Sequence, residues 1–323
     1  MSRENVGKNK QKIAGSKRPK VLVILGPTAS GKTALAVQLA ALFNGEIVSA
    51  DSRQVYRGLD IGTGKDLKEY HFGQKNTPYH LIDVADPMEE FNIAKYQKLA
   101  LKAINDISSK GKLPIIVGGS GLYLQALVDG YALVPGKPDL KRRAELEKMT
   151  TQELYAMLLK LKPDFAVSLN NSDKNNQRRL VRYLEIAESG DHQKPSKKKL
   201  PYDFLVIGLQ IDDDKMREKI QKRIVDRLDH EDMIGEVERL LEKGVSMAWL
   251  NSLGLEYRHI AWHLQEKLDY EEMITRLSLA TYRFAKRQKT WFRRWEKQGR
   301  KITWVGGFDR IKEASSLVSK WME

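Results

Sequence analysis

Short apolar runs alternate with helical patterns through the first third of the chain. Each run is rich in branched aliphatic residues and ends where glycine or polar residues begin, as expected of strands in a buried sheet. Residues 34–43 and 93–107 place apolar side chains at helical spacing between these runs, and another helix begins at Leu122. Strands that alternate with helices predict an α/β fold with a doubly wound parallel sheet. The predicted strands are 21–25, 45–51, 79–84 and 114–117, and a fifth returns at 204–209.

The pattern changes after Gly130. Up to about Tyr202 there is little strand signal, while 141–162 and 176–189 look helical and are rich in Arg and Lys. Helices also fill most of the chain after the last strand. We therefore predict a sheet core with a helical insertion domain and a helical C-terminal region. The predicted parts are a disordered basic tail at 1–20, the core at 21–123 and 203–323, and the insertion at 124–202.

A phosphate-binding motif lies between the first strand and the first helix. Glycine lets the backbone turn tightly there, so that N–H groups wrap a phosphate, and the following helix adds the positive end of its dipole. Lys32 offers a positive charge, and the Thr33 hydroxyl is placed to hold a magnesium ion. The motif predicts a bound phosphate without identifying the compound. The pattern G-x-x-x-x-G-K-[ST] is matched by Gly26, Pro27, Thr28, Ala29, Ser30, Gly31, Lys32 and Thr33.

Asp51 ends the second predicted strand, and we expect it to face the phosphate loop. Ligands of open parallel sheets bind outside the carboxyl ends of the strands. Asp83 also ends an apolar strand, so it is an alternative as a second acid beside the phosphate. Asp51 differs because Ser52, Arg53 and Gln54 follow it. Together they can read and deprotonate a heterocyclic base or hold a metal, and a helix-capping aspartate is the alternative interpretation.

Two basic helical patterns follow in the C-terminal region. In 215–228 an apolar stripe runs beside a basic stripe that includes Arg223. A guanidinium on such a helix edge can enter a phosphate site, although a solvated face paired with nearby acids is the alternative. In 281–295 aromatic residues interleave with Arg and Lys. We interpret this segment as an amphipathic helix with an aromatic core face and a basic outer face suited to RNA phosphates.

Composition narrows the class of protein. The chain has 41% apolar and 30% charged residues and no cysteine, which fits a globular protein without disulfides or thiolate chemistry. The formal charge is +14, of which the first twenty residues supply +6. The remaining excess favours a polyanionic partner such as nucleic acid, or it serves solubility. No apolar run has the roughly 18 residues that a membrane span needs. We expect a soluble, cytoplasmic protein whose basic tail is not a signal peptide.

Six blocks in the same order resemble the tRNA dimethylallyltransferases, also called tRNA isopentenyltransferases, in their bacterial form. The resemblance covers nearly the whole chain after the tail, and six ordered blocks are far more specific than the phosphate motif alone. The blocks are Gly-Pro-Thr-Ala-Ser-Gly-Lys-Thr at 26–33, Asp-Ser-Arg-Gln-Val-Tyr-Arg-Gly-Leu-Asp-Ile-Gly-Thr at 51–63, His-Leu-Ile-Asp at 80–83, Gly-Gly-Ser-Gly-Leu-Tyr-Leu at 118–124, Gln-Arg-Arg-Leu-Val-Arg at 177–182 and Ala-Lys-Arg-Gln-Lys-Thr-Trp at 285–291.

The resemblance implies transfer of a dimethylallyl group from dimethylallyl diphosphate to N6 of the adenosine at position 37, next to the anticodon of tRNA. The loop at 26–33 would then hold the diphosphate, with Mg²⁺ at Thr33. Lys32 and Arg223 would stabilise the negative charge that builds on the diphosphate as the allylic C–O bond breaks. Asp51 would accept the proton of the attacking amine. These roles make Asp51, Arg223 and Lys32 the expected catalytic residues.

The resemblance also implies RNA contacts. The flipped adenine and its neighbours would be held near the catalytic aspartate, and the helical insertion would grip the anticodon stem-loop. We expect a monomer. The implied tRNA-binding residues are Asp51, Ser52, Arg53, Gln54, Ser120, Arg143, Gln177, Arg178, Arg179, Leu180 and Val181.

The chain departs from the family pattern at four places, one of which is 190–199, where the usual family motif is not recognisable. Gly64 stands where the family usually has Ala, and Ser120 replaces a usual Thr but keeps its hydroxyl. Residues 253–258 match the family's Gly-Tyr segment only loosely.

Three other functions remain open from the sequence. An adenylate isopentenyltransferase would prenylate a free nucleotide, but the basic helical segments disfavour it. A P-loop small-molecule kinase would turn over ATP without RNA. A catalytically idle RNA-binding protein would have no need of the lysine, threonine, aspartate and arginine assigned above.

Overall fold

The computed structural model describes residues 18–72, 75–132, 139–188, 197–307 and 309–323. Most of the predicted basic tail therefore lies outside the described residues, and the first strand already begins at Lys20. The chain divides into two compact units, one of Met1–Asp129 with Lys199–Glu323 and one of Gly130–Lys198. The insertion boundaries predicted at 124 and 202 therefore move to 130 and 198. The reason is that a core helix continues to Val128 and Tyr202 is buried beside the sheet.

The larger unit contains a six-stranded, fully parallel sheet in the order β5-β2-β6-β1-β7-β8. This confirms the predicted α/β class. A separate antiparallel hairpin is formed by β3 and β4. The strand predicted at 79–84 pairs only over its first two residues, because Leu81 (φ 65°) and Asp83 (φ 56°) leave the extended conformation. The strands are β1 Lys20–Leu25, β2 Gly45–Ser49, β3 His71–Phe72, β4 Lys75–Asn76, β5 Tyr79–His80, β6 Leu113–Gly118, β7 Asp203–Leu209 and β8 Thr303–Val305.

Helices cover both faces of the sheet and form the C-terminal region, and α4 to α8 make up the smaller unit. None of the helices in the described part of the chain combines the length and apolarity that a membrane crossing requires. The helices are α1 Lys32–Leu42, α2 Ile93–Ser109, α3 Gly121–Val128, α4 Leu140–Leu146, α5 Thr151–Leu161, α6 Pro163–Ser168, α7 Asn171–Lys174, α8 Gln177–Glu188, α9 Asp213–His230, α10 Met233–Glu242, α11 Met247–Leu253, α12 Leu255–Leu264, α13 Tyr270–Lys297 and α14 Arg310–Met322, with one 3-10 turn at Leu67–Tyr70.

The central strand β1 divides its apolar side chains between two cores. Val21, Val23 and Leu25 pack with α2, α3 and the C-terminal part of α13. Leu22 and Ile24 point to the opposite face and pack with α1 and α14. This follows from the two-residue period of a strand, which sends successive side chains to opposite faces. Burial on both faces explains why β1 is apolar throughout, and it fixes the position of the loop that follows the strand.

The C-terminal helices form a third core of the larger unit. The apolar stripe predicted on α9 is buried there, through Met216, Ile220 and Ile224. It packs with residues of α10, α12 and α13 and with the chain that follows β2, including Val55 and Leu59. Because one edge of α9 is held in this core, its neighbouring basic edge has a fixed direction.

In its described residues, the smaller unit contains the five short helices α4 to α8 and has its own apolar core. The single helix predicted at 141–162 is two helices, since Thr150 caps the start of α5. The Thr150 side chain accepts the N–H of Glu153, whose carboxylate in turn accepts the N–H of Thr150. Leu154 and Leu158 of α5 then pack against α8.

A buried carboxylate on α10 fixes the loop that follows β2. Glu236 accepts backbone N–H groups from Asp60 (2.8 Å), Ile61 (2.6 Å) and Gly62 (3.1 Å), and the hydroxyl of Tyr257 (2.8 Å). The Glu236 side chain is buried. Only an acceptor with two oxygens can satisfy so many donors at once.

We predict that Glu236→Gln lowers the free energy of unfolding by about 1–3 kcal/mol, because an amide NH2 would face backbone N–H groups and leave at least one unpaired. Urea unfolding measures this change. Glu238→Gln is the matched control, since Glu238 is exposed on the same helix; it should change stability by no more than about 0.5 kcal/mol. Equal effects of the two variants would contradict the assigned role.

Candidate active site

The loop between β1 and α1 is shaped to bind an anion. Ala29 (φ 62°) and Gly31 (φ 83°) both adopt the left-handed conformation, and Gly31 directly precedes the first turn of α1. Within the described residues, no acceptor occupies the N–H groups of Ala29, Gly31, Lys32 and Thr33. Unpaired N–H groups at the positive end of a helix dipole attract phosphate. The loop therefore presents several N–H groups at the start of α1 that a phosphate could accept.

Three side chains from the C-terminal region hold this loop. Arg223 on α9 donates to the Thr28 hydroxyl (2.6 Å), and the Gln288 side chain on α13 accepts the Thr28 N–H (2.8 Å). Arg310 at the start of α14 donates to the Ser30 carbonyl (2.9 Å). The conformation of the loop thus depends on helices that lie far from it in sequence.

A first cavity of about 300 Å³ opens beside this loop. The carboxyl ends of β1, β2 and β6 contribute to it, and α9, α12 and α13 complete its wall, so the cavity lies where open parallel sheets bind ligands. It brings together most of the residues predicted for the diphosphate and the reacting amine. Of the predicted residues, it is lined by Thr28, Ala29, Gly31, Lys32, Thr33, Asp51, Arg53, Gln54 and Arg223.

Several charges in the first cavity neutralise one another. Arg53 pairs with the buried Glu256 (2.6 Å), and Arg227, which is almost fully buried, pairs with Asp66 (2.8 Å). Burial raises the pKa of the Glu69 carboxyl, and the nearby Asp66 charge adds to that effect. These pairs leave other cations of the cavity without a carboxylate partner.

The unpaired cations are those nearest the loop. Lys32, Lys219 and Arg223 line the first cavity and make no ion pair within the described residues. Burial lowers the pKa of Lys32 to about 8 and that of Arg223 to about 10. The Nε of Arg223 is buried without a hydrogen-bond partner in the described structure. A bound anion would raise both pKa values and give Arg223 an acceptor.

Asp51 lies at the boundary between the first cavity and a second one of about 470 Å³. Among the residues that the structure describes, Asp51, Arg53 and Phe284 are the ones that line both. The N–H of Arg53 donates to the Asp51 carboxylate (2.9 Å). Ser52 and Ser120 line the second cavity, and the Ser120 hydroxyl accepts the Ser52 N–H (3.2 Å). One carboxylate thus faces an anion cradle on one side and a polar chamber on the other.

Some lining residues were not identified from the sequence. Glu256 and Arg258 come from the segment that matches the family only loosely, and Phe284 lies one position before the recognised block at 285–291. Arg283 and Arg287, by contrast, belong to the basic face predicted on α13, and both are exposed at the second cavity. The sequence feature that could have identified Phe284 as a lining residue is its position between these arginines, at the boundary between the aromatic and the basic face of α13.

The alternative acid Asp83 serves the structure and not the site. Its carboxylate accepts the ammonium of Lys65 (2.5 Å), which is only 1% exposed and also contacts Asp60 (2.5 Å) and the carbonyl of Tyr56 (2.8 Å). Asp83 lines neither cavity. The hypothesis that it is the second acid beside the phosphate is therefore wrong, because the chain turns away from the sheet at this residue.

Four other predicted residues also have structural contacts. The Gln54 amide accepts from the Ser49 hydroxyl (2.9 Å) and donates to the Gly64 carbonyl (2.8 Å), and it lines the first cavity instead of the second. Gly26, Pro27 and Ser30 lie buried behind the loop and do not line the first cavity.

The smaller unit corrects two of the predicted RNA contacts. Leu180 and Val181 are 0% and 3% exposed, and their side chains belong to the apolar core of that unit. They stand on the inner face of the amphipathic helix α8. Arg143, also predicted to touch RNA, forms two hydrogen bonds to Glu185 (2.6 and 2.9 Å).

The polar residues at the start of α8 differ in their pairing. Gln177 donates to the carbonyls of Glu147 (3.0 Å) and Met149 (2.7 Å), so it ties α8 to the preceding turn. Arg179 pairs with Asp173 (2.5 Å). Arg178 is exposed, and no ion pair within the described residues engages it.

The glycine at position 64 has a physical reason. Gly64 has φ +66°, and a Cβ there would lie 2.7 Å from a terminal nitrogen of Arg227. An alanine, as the family usually has, would be strained and would displace the guanidinium that pairs with Asp66. This departure from the family is therefore coupled to the Arg227–Asp66 pair.

Comparisons with known proteins identify the family of this chain. The family model for IPP transferase matches residues 54–295. The tRNA dimethylallyltransferase 1 of Hahella chejuensis is 45% identical over 89% of this chain and 92% of its own length. The tRNA dimethylallyltransferase 2 of Bacteroides fragilis is 42% identical over 93% of this chain and 97% of its own.

Solved structures are similar over the same extent. The tRNA isopentenylpyrophosphate transferase of Bacillus halodurans gives a TM-score of 0.67 with 35% identity, over 94% of this chain and 96% of that one. A eukaryotic dimethylallyltransferase acting on tRNA gives a TM-score of 0.70 with 28% identity, over 89% and 73%. The resemblance seen in the sequence blocks is confirmed. The chain belongs to the IPP transferase family, the prenyl transferases that include the tRNA dimethylallyltransferases.

Proposed function

We propose that this protein transfers the dimethylallyl group of dimethylallyl diphosphate to N6 of adenosine 37, next to the anticodon, in tRNA. The observation that carries the proposal is the position of Asp51 between the two cavities. An amine that enters through the second cavity meets a base at the point where the first cavity begins. A donor whose diphosphate lies in the loop would present its reactive carbon at that point.

The first cavity suits the donor. The oxygens of its diphosphate would accept hydrogen bonds from the free N–H groups of the loop and pair with the cations of Lys32 and Arg223. A bound anion would raise the lowered pKa values of both side chains toward their ordinary values. The apolar dimethylallyl group requires a surface without charge. Phe284 offers an apolar aromatic ring where the two cavities meet, and the guanidinium of Arg287 lies 5.9 Å from the centre of that ring.

Magnesium fits the donor set of the first cavity. The Thr33 hydroxyl lines the cavity, and no hydrogen bond within the described residues engages it. Hydroxyl, carboxylate and phosphate oxygens are the hard ligands that Mg²⁺ prefers. We propose that Thr33 helps to hold Mg²⁺, which would neutralise charge on the diphosphate.

The placement of these groups supports the following transfer step. N6 of the adenosine attacks the C1 atom of the donor, the C1–O bond breaks, and its electron pair leaves with the diphosphate. The N6 proton passes to the Asp51 carboxylate. Lys32, Arg223 and the loop N–H groups stabilise the diphosphate more strongly as its charge grows, which lowers the barrier.

The second cavity suits a base on an RNA strand. Ser52 and Ser120 offer hydroxyl groups beside Asp51, and Arg283 and Arg287 are exposed there for backbone phosphates. In the smaller unit, we propose that the exposed Arg178 contacts the anticodon stem-loop. Both cavities belong to one chain, which supports a monomer, and tRNA as the acceptor implies a cytoplasmic location.

The experiment that tests the function follows radiolabel from dimethylallyl diphosphate, with Mg²⁺, into unmodified tRNA or AMP, or without an acceptor. We expect label in tRNA alone, and loss of that label when adenosine 37 is replaced by guanosine. Label in AMP would instead identify an adenylate isopentenyltransferase. No label, together with ATP turnover, would identify a kinase.

We predict that Asp51→Asn lowers kcat about 10²–10⁴-fold, because the amide keeps the shape of the side chain but cannot accept the proton. The Kd for tRNA and the KM for the donor should stay within a few-fold. Single-turnover transfer measures the first effect and filter binding the second. Asp86→Asn, at an exposed ion pair, is the control and should leave kcat unchanged. A proportional loss of tRNA affinity in the Asp51 variant would contradict its role as the base.

We predict that kcat/KM for the donor declines toward tenfold per pH unit above about pH 8. The pKa of Lys32 in the free protein is lowered to about 8, so its ammonium is present below this pH and is lost above it. Because kcat/KM reports ionisation of the free enzyme, its pH profile measures this loss. In the variant Lys32→Arg the guanidinium keeps its charge above pH 8, so the pH profile of this variant should lack the decline, whatever its absolute activity. An unchanged decline would exclude Lys32 as the titrating group.

A further inference from the structure

We propose that Gln288 is a positioning residue that fixes the phosphate-binding loop relative to the loop of Ser120, and so sets how donor and acceptor approach each other. The proposal deepens the proposed function and rests on it. Gln288 lies in the middle of α13, 260 residues from Thr28 and 169 from Gly119 in sequence.

The Gln288 amide joins the two loops directly. Its Oε1 accepts the N–H of Thr28 (2.8 Å), and its Nε2 donates to the carbonyl of Gly119 (2.9 Å). The residue is 6% exposed and lines the first cavity, and its bond to Gly119 is buried while its bond to Thr28 is partly buried. The two partners also determine the orientation of the amide, since one is a donor and the other an acceptor. Glutamate at this position would lack the donor at neutral pH.

The helix under Gln288 is fixed on both sides of this residue. Ala285 packs in the core of the C-terminal helices, and Phe292 packs in the core between the sheet and α2 and α3. Both are fully buried. The amide is therefore attached to a rigid support that spans two cores, and it transmits that rigidity to the loops.

Each loop carries a group of the proposed reaction. On the donor side, the Thr28 hydroxyl accepts Arg223 (2.6 Å), the cation assigned to the diphosphate. On the acceptor side, Ser120 follows Gly119 and binds the N–H of Ser52, next to the base. A change in the spacing of the loops would move the diphosphate relative to the amine. Displacements of about 1 Å in such alignments can cost 10²-fold in rate.

The space around the amide admits no larger neighbour. A Cβ on Gly119 would lie 2.3 Å from Nε2 of Gln288, far inside contact distance. Gly119 does not have a positive φ, so the backbone itself tolerates alanine. Gly119→Ala would therefore displace the amide without straining its own backbone, and it is a second way to break the link, although its Cβ would also lie 3.3 Å from the carbonyl oxygen of Gly26 in the phosphate-binding loop.

The test compares Gln288→Met, Gln288→Glu and Gly119→Ala in the full-length protein. Met keeps the volume and loses both bonds, whereas Glu keeps the Thr28 bond and loses the Gly119 bond. We expect each variant to lower kcat for transfer to tRNA by 10-fold to 10²-fold. For the two uncharged variants, Gln288→Met and Gly119→Ala, the KM for both substrates and the Kd for inorganic diphosphate with Mg²⁺ should stay within about threefold. Gln288→Glu adds a negative charge to the first cavity and should weaken diphosphate binding for that reason alone, so the comparison of Kd values uses only the uncharged variants. Gln298→Met, at an exposed amide just past the end of α13, is the control and should retain kcat.

The double variant Gln288→Met with Gly119→Ala should lose no more rate than the worse single variant, because both changes break one link. Additive losses would overturn the proposal. So would a rise in the Kd for diphosphate that matches the loss of rate, since this would make Gln288 a ligand of the anion. A lowered thermal midpoint with unchanged kcat would show a purely structural role and also overturn it. A wild-type protein that transfers no label would overturn both this proposal and the proposed function.

Discussion

An anion cradle requires backbone N–H groups that the protein itself leaves unpaired, and this constraint governs the architecture around the loop after β1. Unpaired N–H groups and left-handed residues such as Ala29 are unfavourable unless the surroundings hold them. Here the support comes from α9, α13 and α14, through Arg223, Gln288 and Arg310. The C-terminal helices thus support the binding loop, although the sequence motif of that loop lies entirely near the start of the chain.

The same support gives the site its direction. α9 buries its apolar edge and turns its basic edge toward the loop, and α13 separates an aromatic inner face from a basic outer one. Between them, Asp51 is left with a cationic cavity on one side and a chamber of hydroxyl groups and arginines on the other. This asymmetry is what a transfer reaction needs, since the leaving group must be anionic and the attacking group must lose a proton.

The sequence predicts the parts of this site that are local in the chain. Lys32 and Thr33 begin α1 after the loop that follows β1, and Asp51 lies two residues beyond the end of β2, so the parallel sheet sets their positions. Long-range partners leave no such pattern, since the link between Arg53 and Glu256 joins residues 203 positions apart.

The apolar pattern also identified most of the fold, including the strands of the core and the buried stripe of α9. It failed where a residue's environment, and not its type, decides its role. Asp83 ends an apolar stretch as Asp51 does, yet Lys65 neutralises it. Leu180 belongs to a family block and is a core residue of the smaller unit.

The most direct measurement is a crystal structure of this protein with a thiolated, unreactive donor analogue, Mg²⁺ and an anticodon stem-loop. The account predicts the diphosphate in the loop at 26–33 and N6 of the target adenosine within hydrogen-bond reach of Asp51, about 2.6–3.2 Å. An adenosine whose N6 lies away from Asp51, or a diphosphate outside the loop, would contradict it.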